Sequence, residues 1–118
     1  MGNPTLTKSY DAGAAITKCR IVKFGASDGA VIQGAAAADL VVGVAEGLDV
    51  ASGDRVDVIR TGIAEVEYGG TVTRGQRLVS DASGKAVTGA SDQQTVGVAE
   101  VSGVSGDIGR VLISLGTV

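Results

Sequence analysis

The chain has 118 residues, a net charge of −3 and only 3% aromatic residues. That length suits one domain. The absence of histidine, a lone cysteine (Cys19) and scattered Lys and Arg exclude His-based triads, cysteine zinc clusters and a basic nucleic-acid footprint.

Nothing approaches the ~18 apolar residues of a membrane span. The N-terminus lacks the charged-then-apolar order of a signal peptide, so a soluble protein made in the cytosol is expected. With so few aromatics, Val, Ile, Leu and Ala must fill the core. There are 19 glycines and one proline, Pro4, which with the β-branched residues reads as many tight turns rather than disorder.

Residues 1–9 precede the patterned part and read as an N-terminal arm, with one β domain over 10–118. Pro4 biases Asn3 toward extended geometry. Thr5, Leu6 and Thr7 favour strand once a partner is present. Such an arm is either a frayed terminus or a strand offered to a neighbour's sheet edge.

A turn at Asp11-Ala12-Gly13 leads into a strand over Ile16–Phe24. Gly25–Gly29 is a turn and Ala30–Gln33 a short strand, together a hairpin. Residues 34–40, rich in alanine, are open between one helical turn and an extended linker. Val41–Glu46 is a strand and Gly47–Gly53 a loop. Asp54–Arg60 alternates as a half-buried strand does, Gly62 ends it, and Ile63–Tyr68 begins another. Further strand segments fall at 71–75, 76–80, 86–87, 95–101 and 110–115, with turns or loops at 81–85, 88–94 and 102–109. About ten short strands with regular turns predict a small all-β barrel or sandwich.

The chain also repeats itself. Val42-Gly43-Val44-Ala45-Glu46 recurs as Val96-Gly97-Val98-Ala99-Glu100. Ser52-Gly53-Asp54 recurs as Ser105-Gly106-Asp107, and Val56–Ile59 is answered by Val111–Ile113. Upstream, Arg20-Ile21-Val22 is similar to Arg77-Leu78-Val79, and Asp28–Val31 to Ser83–Val87. The halves run over about 10–62 and 67–118, and two copies are too few for a solenoid.

Chemistry is scarce. The duplicated Ser-Gly-Asp reads as turn chemistry, because a turn residue recurs where a turn recurs. Glu65 and Glu67 share a strand face, as charges on a wet face do. Cys19 stands between Lys18 and Arg20, which would lower a thiol pKa, but has no histidine as base and reads as inert. No P-loop ending occurs. The twin halves resemble lipoyl and biotinyl carrier domains in outline, yet Lys85, in Ser-Gly-Lys-Ala, lacks their surround. No catalytic residue, metal site or cofactor is assigned.

Several stretches resemble the small capsid decoration (cement) proteins of tailed bacteriophages: residues 3–10, 20–25, 42–44, 60–70, 97–100 and 106–109. The likeness covers almost the whole chain and rests on glycine-and-valine patterns. It implies an all-β barrel, β-tulip or β-clip form with an extended N-terminal arm. It implies a homotrimer at threefold and quasi-threefold positions on the outer virion surface, clamping the major capsid protein of an expanded shell. It implies no enzyme activity, nucleic-acid partner or membrane partner. On this reading Asn3, Pro4, Thr5, Leu6, Thr7, Lys8 and Tyr10 form the capsid-binding arm, with Leu6 and Tyr10 as its apolar anchors. The alternative is a ligand-binding or carrier β domain of a bacterial enzyme complex, with a pocket of convergent polar groups or a modified Lys85.

Overall fold

A computed structural model describes residues 3–35, 41–46, 49–89 and 93–117. Among these there is no helix, and nine strands form one continuous sheet: β1 (Asn3–Ala12), β2 (Ile21–Phe24), β3 (Ala30–Gln33), β4 (Val41–Glu46), β5 (Arg55–Glu67), β6 (Arg77–Ser80), β7 (Ala86–Thr88), β8 (Gln94–Ala99) and β9 (Ile108–Thr117). The spatial order is β1-β3-β2-β4-β5-β9-β8-β6-β7. Because β1 also pairs antiparallel with β5, the first five strands close into a barrel. The remaining strands extend from β5 through β9 and curl back on it, with an isolated bridge from Tyr68 to Ala86.

Register shows how the halves correspond. Val44 faces Ile59 and Ala45 faces Val58 in the first; Val98 faces Leu112 and Ala99 faces Val111 in the second. Outside the strands the match continues. Ile16 bridges Val50 as Val72 bridges Gly103. Asp54 Oδ2 accepts from the Ala51 amide as Asp107 Oδ2 accepts from Val104. Those two carboxylates hold the duplicated turns closed, which is what Ser-Gly-Asp was expected to do.

The repeat is wider than 10–62 and 67–118. Thr7, Lys8, Ser9 and Tyr10 face Ile59, Val58, Asp57 and Val56. Ile63, Ala64, Glu65 and Val66 face Leu112, Val111, Arg110 and Gly109 in the same order. The first strand of the first repeat is therefore β1, and its counterpart is the second half of β5. One long strand closes the first repeat and opens the second. Gly62 was expected to end the strand there. Instead it takes φ +94°, beside two register shifts at Leu6 on β1, and the chain swerves from one barrel to the next without losing its ladder.

Three other expectations need correction. The Cys19 amide donates to Ala45 O and the Gly75 amide to Ala99 O, so Cys19 corresponds to Gly75 and Arg20 to Gln76. The pairing of Arg20 with Arg77 was one residue out. The strand expected over 16–24 is confined to 21–24, because Cys19 lies in the left-handed region at φ 60°. Residues 71–75 form only the Val72 bridge. The open stretch 34–40 falls largely outside the described residues; of the loop expected over 88–94, Thr88 ends β7, Gln94 begins β8, and 90–92 lie outside the described residues.

The core divides as the repeats do. Tyr10, Ala12, Ile16, Val22, Val31, Val42, Ala45, Val56 and Val58 fill the first barrel. Their counterparts Val66, Tyr68, Val72, Leu78, Ala86, Val96, Ala99 and Val111 fill the second. Ile21, Val44 and Ile59 point out of the first barrel and pack into the second cluster instead. Each buried Val, Ile or Leu contributes about 1.5–3 kcal/mol.

Candidate functional site

Among the described residues no group of three or more His, Cys, Asp and Glu could hold a metal. The acidic residues have other work. Glu67 accepts from Arg20 Nε and Nη2 at 3.3 and 3.2 Å, and Lys85 Nζ lies 3.2 Å from its second oxygen. Burial pushes the Glu67 pKa up, but Lys85 and Arg20 outweigh it and hold the carboxyl below its usual range. Glu65 faces Arg110 across the β5–β9 ladder. Lys85 is thus part of a bridge between barrels, not a free lysine at a hairpin tip.

At Cys19 the local sequence misleads. Burial raises its thiol pKa most, Glu65 adds to this and Lys18 opposes it, so the flanking cations do not activate it.

The residues named for the arm lie on β1, and their ladder runs along their own chain's β5. Asn3 faces Ile63 and Pro4 faces Gly62. Ser9 Oγ donates to Asp57 Oδ1 at 3.0 Å. Tyr10 is not an outward anchor: it is 5% exposed, sits in the first core, accepts from Arg60 Nη1 at 2.6 Å and has Lys8 Nζ 5.2 Å from its ring centre. Its place opposite Val56 in the first core, rather than strand alternation alone, turns it inward. Leu6, 51% exposed, remains outward, and Thr7, Lys8 and Ser9 are exposed with it. Only Asp11 and Ala12 pair through the second edge of β1, with β3, among the described residues. Among the described residues the strand is held along one edge and open along most of the other.

Residue patterns did not single out a second group of exposed apolar side chains: Phe24, Val101, Val104, Ile108 and Leu112. Phe24 carries the one phenyl ring of the chain on the rim of a turn, a legible signal. Leu112 sits in a strand whose pattern gives no hint of its open face.

The comparisons with known proteins agree with this geometry. No curated protein matches the chain. Among solved structures, the head fiber gp8.5 N base of bacteriophage phi29 superposes with a TM-score of 0.71 at 19% identity, covering 96% of this chain and 97% of that one. At that identity the likeness speaks for the fold. The family model described as phage cement protein matches residues 1–115. With an all-β barrel fold and a match over nearly its full length, the chain belongs to the phage cement protein family.

Proposed function

We propose that this chain is a decoration protein of the outer capsid surface. It binds the major capsid protein as homotrimers at threefold and quasi-threefold positions and stabilises the expanded shell without catalysing a reaction. The observation that carries this reading is the family match over residues 1–115, which supports a place on the virion capsid. Synthesis in the host cytoplasm follows from the same reading.

The capsid-binding element is the β1 segment, Asn3, Pro4, Thr5, Leu6, Thr7, Lys8 and Tyr10. Leu6 supplies the apolar contact, the open strand edge supplies main-chain hydrogen bonds to an extended capsid segment, and Tyr10 keeps the strand in place from inside. Many copies on a lattice need only modest affinity each.

Removing residues 2–9 is a poor test, because β1 closes the first barrel and its loss would unfold that half. Leu6→Glu is better, since Leu6 faces solvent. Purified protein is titrated onto empty expanded shells and the bound fraction sedimented. Stoichiometric saturation by the wild type, with at least a tenfold weaker affinity for Leu6→Glu, is expected. Absence of wild-type binding to mature shells would sink the decoration reading, and undiminished binding by Leu6→Glu would sink the role of β1.

A further inference from the structure

The internal repeat contains a docked pair and leaves both halves of the same pair open at its ends. In the docked pair, the outer face of barrel one receives the β6–β7 turn of the second repeat. Ile21, Val44 and Ile59 are buried to 2% or less in the second barrel's cluster, where β4 also packs against β8 and β9, and the turn itself meets this face at Arg20 and Ile21. The Ile21 amide donates to Gly84 O at 2.8 Å, and Arg20 Nη1 donates to Ser83 O at 2.8 Å. Ser80, at the root of that turn, is 1% exposed, and a Cβ placed on Gly34 would fall 2.4 Å from its hydroxyl.

The equivalent receiving face on barrel two is Arg77, Val98 and Leu112. Among the described residues it is largely open: Arg77 is exposed, with Nη1 donating to Thr95 Oγ1 at 3.4 Å, Val98 is half-buried, and Leu112 is 42% exposed where its counterpart Ile59 is buried. The equivalent incoming turn, in the first repeat, is Phe24–Gly29. Phe24 stands where Ser80 does and is 55% exposed. Asp28 stands where Ser83 does and is exposed.

The substitutions between equivalent positions match one another. At the facing positions the open face carries Arg77 where the docked face has Ile21, and Gln76 where it has Arg20; the open turn carries Asp28 where the docked turn has Ser83, and Gly25 where it has Asp81. The turn has also gained an aromatic ring, which Arg77 and Leu112 are suited to cover.

We propose that the Phe24–Gly29 turn of one copy docks on the Arg77–Val98–Leu112 face of a second copy, repeating between chains the contact that joins the two barrels within one. Such a contact is heterologous: each chain offers its turn to one neighbour and its face to another. It closes into a ring where the rotation permits. The inference deepens the homotrimer reading and takes from it only the number of copies. It does not depend on capsid binding.

The test uses the full chain without shells, in sedimentation equilibrium over a concentration series. Asp28→Lys and Arg77→Glu lie on exposed positions, and circular dichroism checks that each variant keeps the wild-type sheet signal. Wild-type association, at least tenfold weaker association of each single variant, and recovery in the double variant are expected. An equimolar mixture of the two single variants should also form pairs, because the altered turn of one meets the altered face of the other. A monomeric wild type up to its solubility limit, single variants that associate like wild type, or a double variant that does not recover would each overturn the proposal. Should either charge variant fail to fold, Phe24→Cys with Leu112→Cys in a Cys19→Gly background decides by peptide mapping. A 24-to-112 disulfide between chains supports the contact, and only 24-to-24 or 112-to-112 links reject it. Shell binding, measured separately by sedimentation, fails or succeeds independently of these outcomes.

Discussion

Tyr68 occupies the space that a side chain at Gly109 would need: a Cβ there would lie 2.1 Å from Tyr68 Cζ. In the first barrel the matching positions are Ala12 and Val56, both buried. The second barrel has moved volume from one strand to the other, and its Tyr68 hydroxyl donates to Val101 O at 2.7 Å. Its ring is fully buried, beside Gly103 as well as Gly109.

The pair should therefore behave as one unit. Gly109→Val is expected to cost more than about 1–3 kcal/mol by overpacking. Tyr68→Ala is expected to cost about 3–5 kcal/mol through the cavity it leaves. Combining them should cost clearly less than the sum, since each change relieves the other. Urea unfolding of the four proteins checks this, and strict additivity would show that the two positions do not share the space. Tyr68→Phe, which loses only the hydrogen bond, should cost about 1 kcal/mol.

Gly43 and Gly97 make the same prediction twice. A Cβ on Gly43 would lie 2.1 Å from Ile59 O, and one on Gly97 would lie 2.0 Å from Leu112 O. Both obstacles are backbone, which cannot rotate away as a side chain can. Alanine at either site should lower stability by about 1–3 kcal/mol or more, and by similar amounts in the two barrels. Thermal unfolding of Gly43→Ala and Gly97→Ala tests it. A harmless change at one site only would mean that the repeats are less equivalent than their register shows.

How much of this was open to a reader of the sequence depends on the element. Val42–Glu46 and Val96–Glu100 were legible as equivalent strands because their cross-strand neighbours demand the same small residue in the same place. The hairpins at Gly25–Gly29 and Asp81–Lys85 were legible from turn chemistry. The kinship of β1 with the end of β5 was not. Thr7-Lys8-Ser9-Tyr10 and Ile63-Ala64-Glu65-Val66 share no residue, and what they share is a ladder with equivalent strands. Gly62 was misread because a glycine that breaks a strand and one that bends it look alike in sequence. The exposed Leu6 was legible as a surface residue, whereas the inward turn of Tyr10 is fixed by tertiary packing.

Cys19 holds a left-handed conformation that its counterpart Gly75 takes without a Cβ. A non-glycine residue there costs about 1–2 kcal/mol. Glycine relieves that strain but loses more chain entropy on folding, a loss of about 0.4–1 kcal/mol. Cys19→Gly should therefore lie within about 1 kcal/mol of wild type, on the stabilising side. Cys19→Val, branched at the crowded atom, should be destabilised. Because burial and Glu65 raise its pKa, the native thiol should alkylate with iodoacetamide more slowly at neutral pH than the same thiol in urea. Equal rates in both states would contradict the placement of Cys19.

Glu67 joins the barrels through charge as Ile21 and Ile59 do through packing. Its pKa is raised by burial but lowered further by Lys85 and Arg20, so the folded value lies below the unfolded 4.5. A carboxyl with a depressed folded pKa adds stability that is fully present above the unfolded value and is lost as pH falls through the folded one. The contribution should thus hold from neutral pH down to about 5 and disappear below 4.5, toward the lower folded value. Glu67 keeps 21% of its side-chain surface in solvent, so the bridge is worth no more than about 1 kcal/mol. Glu67→Gln should be less stable than wild type at pH 7, and the difference should shrink as the solution is acidified. Urea midpoints measured across that range decide the matter. A difference that stayed constant with pH would assign the loss to packing, and the interbarrel bridge would then have no electrostatic share.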